Sequence, residues 1–376
     1  MHVNRNDIEK YINNNNHLNR IKTYNELIEL YSVTSQPEKY VLENIINTYI
    51  DRLEKAKTLY NERRVKLDRL KRLELPEQRS AEWYEMRKEK LTASALADAL
   101  DKGHFQSRDE LILSKIEEKP FEPNPITEWG VKYEDIAIVF YEELYNVKVL
   151  DFGLIPHPEF DAFGASPDGI CDDTGNDKYL GRMVEIKCPP KRKFTKTVPP
   201  HYLMQVQGQL EVCDLDECDF FQVKIEEYED YEDYCKDIFE IDGVLQDGRT
   251  HLNYPKGVII TCKEGEKLSY TYSKINQSNQ TLEEWVEGHK ETMENIHEIK
   301  WWKITRYECT FVQRDKEWWY DIMDQILLFY KDLLLYKSDE SELKKLKERV
   351  ALKKKRKKKF EIKLMDQFQL ISDDED

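Results

Sequence analysis

The chain has 376 residues, enough to bury a sizeable core as one large domain or as one domain with appendages. Its formal charge of −16 argues against a protein that coats nucleic acid generically, since such a protein would be basic overall. An enzyme that holds DNA in a local channel is still allowed. Seven cysteines without a C-x-x-C pair fit free thiols in a reducing compartment better than a disulfide framework or a zinc site. No charged-then-apolar leader opens the sequence and no run of about 18 apolar residues occurs, so a soluble, intracellular protein without membrane contact is expected.

Residues 1–37 are Asn-rich and polar and suggest a weakly ordered lead-in, apart from an apolar-periodic piece near Tyr24 to Tyr31. From Leu42 the apolar positions Ile46, Tyr49, Leu53, Ala56, Tyr60, Leu67 and Leu70 step by threes and fours, with Arg63 occupying one seam position, which predicts a helix closed by Pro76. That helix suits an oligomerisation arm, a contact with DNA, or packing on its own domain. Ser94 is placed to cap a helix through Ala95 to Leu100, and Arg87 offers a bidentate phosphate donor; a plain cap and a surface ion pair are the simpler alternatives. Residues 104–126, with Pro120, Pro123 and Pro125, read as a connection. A helix then opens at Trp129, with Ile136, Val139, Phe140 and Leu144 at helical spacing and Glu134 in its first turn, where a glutamate complements the helix dipole. Val147 to Ile155, Phe160 to Ile170 and Tyr179 to Cys188 read as strands.

The last two strands would form a hairpin, with Asp172, Asp173, Gly175, Asn176 and Asp177 as its loop. Strand side chains alternate faces, so Glu185 and Lys187 point the same way, roughly 6.6 Å apart. The hairpin brings Asp168 alongside, giving two carboxylates and an ammonium on one surface. Two converging carboxylates repel unless a cation lies between them, and oxygen-only ligands suit magnesium or manganese. Such an ion polarises a phosphodiester and generates hydroxide from bound water. A surface salt bridge on an ordinary hairpin is the bland alternative.

Lys191, Arg192 and Lys193 follow this strand, either as a grip on a DNA backbone or as a solvated loop. Pro199 and Pro200 introduce a helix on which Gln205 and Gln209 share a face. Asp219 to Ile225 reads as a strand, Glu226 to Asp237 as a solvated acidic helix, and Lys256 to Lys263 with Lys267 to Ile275 as two further strands. A final helix from Trp318 to Leu335 precedes a net-basic end that contains seven consecutive cations, Lys353 to Lys359. Such a run suits nuclear import or a tether to nucleic acid.

Four blocks carry a family resemblance. They are Arg79…Trp83…Met86-Arg87…Leu91-Thr92-Ala93-Ser94, Trp129-Gly130-Val131-Lys132-Tyr133-Glu134, Ala165-Ser166-Pro167-Asp168-Gly169 with Val184-Glu185-Ile186-Lys187-Cys188-Pro189, and Tyr202-Leu203-Met204-Gln205-Val206-Gln207. Together they resemble the λ exonuclease, or YqaJ-like viral recombinase, branch of the PD-(D/E)xK nuclease superfamily, over about residues 79 to 225. The resemblance implies an α/β restriction-endonuclease-like core, a mixed central sheet flanked by helices, in residues 77–336. A helical N-terminal extension (1–76) and a Lys-rich C-terminal tail (337–376) would flank it.

By the same resemblance, Asp168, Glu185 and the carbonyl of Ile186 hold two Mg2+ ions, with Mn2+ as substitute, and Glu134 supports the second. Lys187 and Gln205 position the attacking water, while Arg87 and Ser94 anchor a phosphate. The implied activity is 5′-to-3′ resection of double-stranded DNA ends for viral recombination and repair, in host cytoplasm or nucleus. A single-strand annealing protein and a homo-oligomeric ring or trimer are the implied partners. An endonuclease of the same superfamily, a DNA-binding protein with a decayed site, and a coiled-coil partner built on residues 42–73 are the rivals.

Overall fold

The computed structural model describes residues 4–15, 18–117, 124–191 and 194–372, with backbone alone from 357 on, and the chain divides into two units, one ending at Arg69 and one starting at Leu70. The first unit contains α1 (Arg5–Asn15), where a weakly ordered lead-in is expected, α2 (Arg20–Tyr31), which includes the apolar-periodic piece, and most of α3 (Gln36–Lys71), the helix expected from Leu42. Asparagine content misleads here, because few apolar side chains suffice at the right spacing. Ile8 and Ile12 lie one turn apart and pack with Leu27, Val33, Leu42, Ile46 and Ile50 in one buried cluster. Asn19 caps α2, its side chain accepting the Lys22 N–H at 3.0 Å.

The second unit opens with α4 (Ala81–Glu89), capped by the Ser80 hydroxyl at the Trp83 N–H. β1 (Leu91–Thr92), a 3-10 turn (Ala93–Ala95) and the one-turn α5 (Leu96–Ala99) follow. The expected connection over residues 104–126 contains α6 (Arg108–Ile116), begun by a capping box in which Ser107 and Glu110 bond reciprocally. The S-x-x-E signal of residues 107–110 starts a helix ahead of the prolines. Next come α7 (Pro125–Tyr145), β2 (Val147–Leu150), β3 (Ile155–Pro156), β4 (Phe163–Ala165), β5 (Gly169–Gly175), β6 (Met183–Lys187), α8 (Pro200–Cys213) and β7 (Glu217–Glu227). The remaining elements are α9 (Tyr231–Lys236), β8 (Phe239–Ile241), β9 (Val244–Gln246), β10 (Lys256–Glu264), β11 (Lys267–Tyr272), α10 (Asn279–Thr292), β12 (Ile296–Gln313), α11 (Lys316–Ser338) and α12 (Glu340–Ser372).

Among the described residues the central sheet has seven strands in the order β11-β10-β12-β7-β6-β5-β2. Only β6 and β7 pair in parallel, with α8 as the crossover between them; the other ladders are antiparallel. This is the mixed sheet flanked by helices that the resemblance implies. Val184, Ile186, Phe221 and Val223 bury one face against Tyr133, Ile136 and Phe140 of α7.

The expected strand from Phe160 to Ile170 is interrupted. β4 pairs with β1 and β3 in a small separate sheet, and Asp168 lies in the link before β5. Pro167 has no N–H to give a ladder, which explains a break at that point. The acidic residues Asp172 and Asp173 belong to β5, so the hairpin turns later, across residues 176–182.

Along α12, Leu346 and Val350 are buried. Arg349 donates Nε and Nη2 to the two carboxylate oxygens of Asp109 on α6, each at 2.9 Å, and Lys353 adds a third bond at 3.0 Å. No helix among the described residues is long and apolar enough to cross a membrane.

Candidate active site

β6 supplies the centre. Glu185 is fully buried, and each of its carboxylate oxygens is held: Oε1 by Lys187 Nζ and by Gln205 Nε2 at 2.6 Å, Oε2 by Gln209 Nε2 at 2.7 Å. Two residues apart on one strand, Glu185 and Lys187 reach each other directly. Across the β5–β6 ladder, Gly169 pairs with Val184, which sets the preceding Asp168 next to the end of β6. Asp168 Oδ2 accepts the main-chain N–H of Ile186 at 2.6 Å. Asp168, Glu185, Lys187 and Gln205 therefore meet in one place.

The electrostatics follow from burial. Desolvation, then the neighbouring charge of Glu185, push the Asp168 carboxyl well above the usual carboxylate range, against the pull of Lys187 and the Ile186 N–H. Burial alone would lower the Lys187 ammonium, but Glu185 and Asp168 outweigh it and hold the pKa above its ordinary value. Glu134, on the first half of α7, is raised by burial too, although Arg79 and Lys187 oppose that. Its carboxylate accepts Arg79 Nη2 at 2.9 Å, and Arg79 has a left-handed backbone at φ 67°. Three carboxylates thus share two cations, a deficit that favours a further positive charge.

Two residues not singled out from the sequence as site residues hold this arrangement. Gln209 lies one turn beyond Gln205, a spacing that is legible in the sequence, and fixes the second oxygen of Glu185. Gln78 anchors the link that carries Asp168: its side-chain amide donates to Pro167 O at 3.2 Å, Phe152 O at 2.9 Å and Asp151 Oδ1 at 3.0 Å. No local sequence pattern announces that role.

A cationic recess lies beside the carboxylates. Arg87 Nη2 donates to Ser94 Oγ at 3.1 Å, and its guanidinium lies 4.3 Å from the centroid of the Trp83 ring. Trp83 Nε1 in turn donates to Ser166 Oγ at 3.1 Å, tying the recess to the Asp168 link. Ser94 does not cap a helix as expected: it falls inside the 3-10 turn, and its hydroxyl faces Arg87 and Thr92. Lys115, unmarked in the sequence, donates to the carbonyls of Arg87 and Lys90 at 3.0 and 2.6 Å. Burial, reinforced by the positive charges of Arg87 and Lys337, brings its pKa down to about 8. Such a cluster suits an anion.

Lys191 is exposed on the segment after β6, whereas Arg192 and Lys193 lie outside the described residues. Among the described residues no group of three Asp, Glu, His or Cys side chains is already gathered as a metal-ligand set. The donors that fit a hard divalent ion are Asp168, Glu185 and main-chain oxygen at Ile186, with Glu134 nearby. Gln209 Oε1 is buried and has no donor among the described residues, a position that the water shell of a hydrated cation would satisfy.

Residues 82–216 match the YqaJ-like viral recombinase domain. Over this stretch the chain is similar to that domain. The stretch contains Arg87, Ser94, Lys115, Glu134, Asp168, Glu185, Lys187, Gln205 and Gln209. The chain is 31% identical over 320 residues to uncharacterized protein R354 of Acanthamoeba polyphaga mimivirus, an alignment covering 76% of this chain and 58% of that protein. It thus spans little more than half of its relative's length. Among solved structures it is similar to the alkaline exonuclease LHK-Exo of Laribacter hongkongensis, at 23% identity over 72% of this chain and 98% of that one, with a TM-score of 0.40. A phage-related exonuclease from Haemophilus somnus 129PT matches at 15% identity over 66% and 96% of the two chains, with a TM-score of 0.36.

Proposed function

We propose that the YqaJ-like domain is a metal-dependent deoxyribonuclease that degrades duplex DNA from its ends, 5′ to 3′, leaving single strands for viral recombination or repair. The observation that carries this reading is the meeting of Asp168, Glu185, Lys187, Gln205 and Gln209 at one end of β6, beside the Arg87–Ser94–Lys115 recess.

In this reading Asp168, Glu185 and the Ile186 carbonyl hold Mg2+ or Mn2+, and Glu134 serves a second ion. When bound, the ions polarise the phosphodiester and lower the pKa of water. The chain's own residues do the rest. Gln205 and Gln209 fix both oxygens of Glu185, so the carboxylate plane cannot rotate. Lys187 stays an ammonium and offsets the charge that develops on the attacked phosphate. Arg79 holds Glu134 in place. Arg87, Ser94 and Lys115 seat a phosphate, the 5′-terminal one in an end-dependent enzyme.

Lys191 with its basic neighbours, and the cations of Lys353 to Lys359, supply salt-dependent affinity for the backbone; the latter run also suits nuclear import. A ring or trimer around DNA and an annealing partner complete the proposal. Digestion of end-labelled linear duplex in Mg2+, beside a covalently closed circle, tests it. Mononucleotide release from the linear form alone is expected. Cutting of the circle makes the protein an internal nuclease, and inertness on both, with binding retained, makes it a DNA-binding protein.

A further inference from the structure

Away from the carboxylates, a line of rings leads from Lys187 to the protein surface. The Lys187 ammonium lies 5.2 Å from the Tyr202 ring centroid, and Tyr202 is 4.1 Å from His201. His201 meets two further rings edge-on, His104 at 4.7 Å and Phe105 at 5.9 Å. Tyr202 also packs on the buried Phe220 of β7, at 5.6 Å. The line therefore starts on the core and ends in solvent, where Phe105 keeps 78% of its surface exposed.

Exposing a phenylalanine to this degree opposes the hydrophobic effect, and here the loop is braced to do so. Asp98, itself buried, accepts hydrogen bonds from both the backbone and the side chain of Gln106. Gly103 closes against the same carboxylate so tightly that a Cβ there would stand 1.6 Å from Asp98 Oδ1. Lys102 N donates to Ala97 O at 2.8 Å. His104 and Phe105 are thus fixed between two tethered residues, not left on a loose tip.

We infer that Phe105, with His104 and His201 behind it, is a nucleobase-stacking platform that holds bases of the DNA strand next to the reacting phosphate. The inference rests on the nuclease reading for the strand's identity. Every base has a π-face, so aromatic stacking grips a strand irrespective of sequence, as an end-degrading enzyme requires. The rings span no more than about 15 Å from the Lys187 ammonium, a reach of about four nucleotides at ~3.4 Å per step. The platform lies beyond the acidic site and beside α8, whose next turn carries Gln205, so a strand with its phosphate at Lys187 can lay adjacent bases along it.

The test is binding of the full chain to short DNA duplexes with 2-aminopurine in one of the terminal positions, in Ca2+, read by anisotropy and fluorescence quenching. Wild type and Phe105→Trp should quench the probe. Phe105→Ala should lose the quench and bind on the order of tenfold more weakly, with unchanged melting temperature, because the ring is exposed. An abasic nucleotide at the quenched position should weaken the wild type by a similar factor and leave Phe105→Ala unaffected. Unchanged affinity in Phe105→Ala, or an abasic penalty that persists in it, overturns the platform. Phe105-dependent quenching without nucleotide release supports the platform and removes the nuclease reading. Normal digestion with Phe105-independent binding does the opposite.

Discussion

Gln205 and Gln209, one turn apart on α8, donate to different oxygens of the same buried carboxylate, Glu185, at 2.6 and 2.7 Å. Because Oε1 also takes the Lys187 ammonium, losing Gln205 leaves that oxygen partnered, whereas losing Gln209 strands Oε2 in the interior. An unsatisfied buried acceptor costs about 1–3 kcal/mol, more when charged. Gln209→Leu should therefore lower stability by about that amount, and Gln205→Leu by less. Both should slow digestion. Urea unfolding monitored with a nucleotide-release assay checks the order; equal stabilities would show that the second oxygen is not held by Gln209 alone.

Lys187 offsets two buried carboxylates in the absence of a divalent ion. Lys187→Ala should abolish nucleotide release while sparing DNA binding. It should also make folding depend on metal, since a buried charge without its partner costs several kcal/mol. The expected result is a melting temperature that drops in EDTA and recovers in Mg2+ by more than the wild type's does. Turnover equal to wild type would remove the ammonium from the chemistry.

The grouping of the candidate site residues was legible because it is local. Glu185 and Lys187 fall on a short string with strand periodicity, Asp168 directly precedes the strand that pairs with it, and Gln205 sits on a helix that two prolines announce. What stayed hidden is long-range or backbone-borne. Gln78 reaches Pro167 across 89 positions and Lys115 reaches the Arg87 carbonyl across 28, and no window of sequence links such partners. Helix α1 was concealed by asparagines, although Ile8 and Ile12 give it a buried stripe packed with Leu27. Ser94 fits a cap pattern, yet the chain tightens into a 3-10 turn and aims the hydroxyl at Arg87.

The Arg87–Ser94–Lys115 recess makes a prediction with two opposite signs. Lys115 falls from 10.5 to about 8, so the folded state binds its proton less tightly than the unfolded chain. Stability therefore rises with pH between about 8 and 10.5, by at most about 3 kcal/mol from this group. Phosphate binding runs the other way, since only the ammonium attracts it. Preference for 5′-phosphorylated over 5′-hydroxyl duplex should fade as pH rises past about 8, and Lys115→Met should remove both trends. Arg87→Ala should cut the phosphate preference by about tenfold, the value of one charge-assisted bond. Competition digestion at stepped pH provides the measurement, and indifference to the 5′ group retires the recess as a phosphate seat.

Asp109 joins α6 to α12 through Arg349 and Lys353, and its carboxyl is held below the ordinary range, first by the Arg349 hydrogen bonds and also by Lys353, against burial. A depressed carboxylate contributes stability that is complete above the unfolded value near 3.9 and is lost as pH falls through the folded one. The docking of α12 should therefore persist at neutral pH and in mild acid and loosen only below about pH 4. Asp109→Asn keeps the shape but removes the charge, and should cost about 1–2 kcal/mol. Hydrogen exchange resolves this locally: amides of residues 343–352 should lose protection in Asp109→Asn at pH 7 and in wild type only as pH falls below about 4, while β6 and β7 stay protected. Because Lys353 opens the cationic run, its release would also change how that run is presented. If amides on α12 exchange alike in wild type and Asp109→Asn at pH 7, the buried Leu346 and Val350 hold the helix without this ion pair.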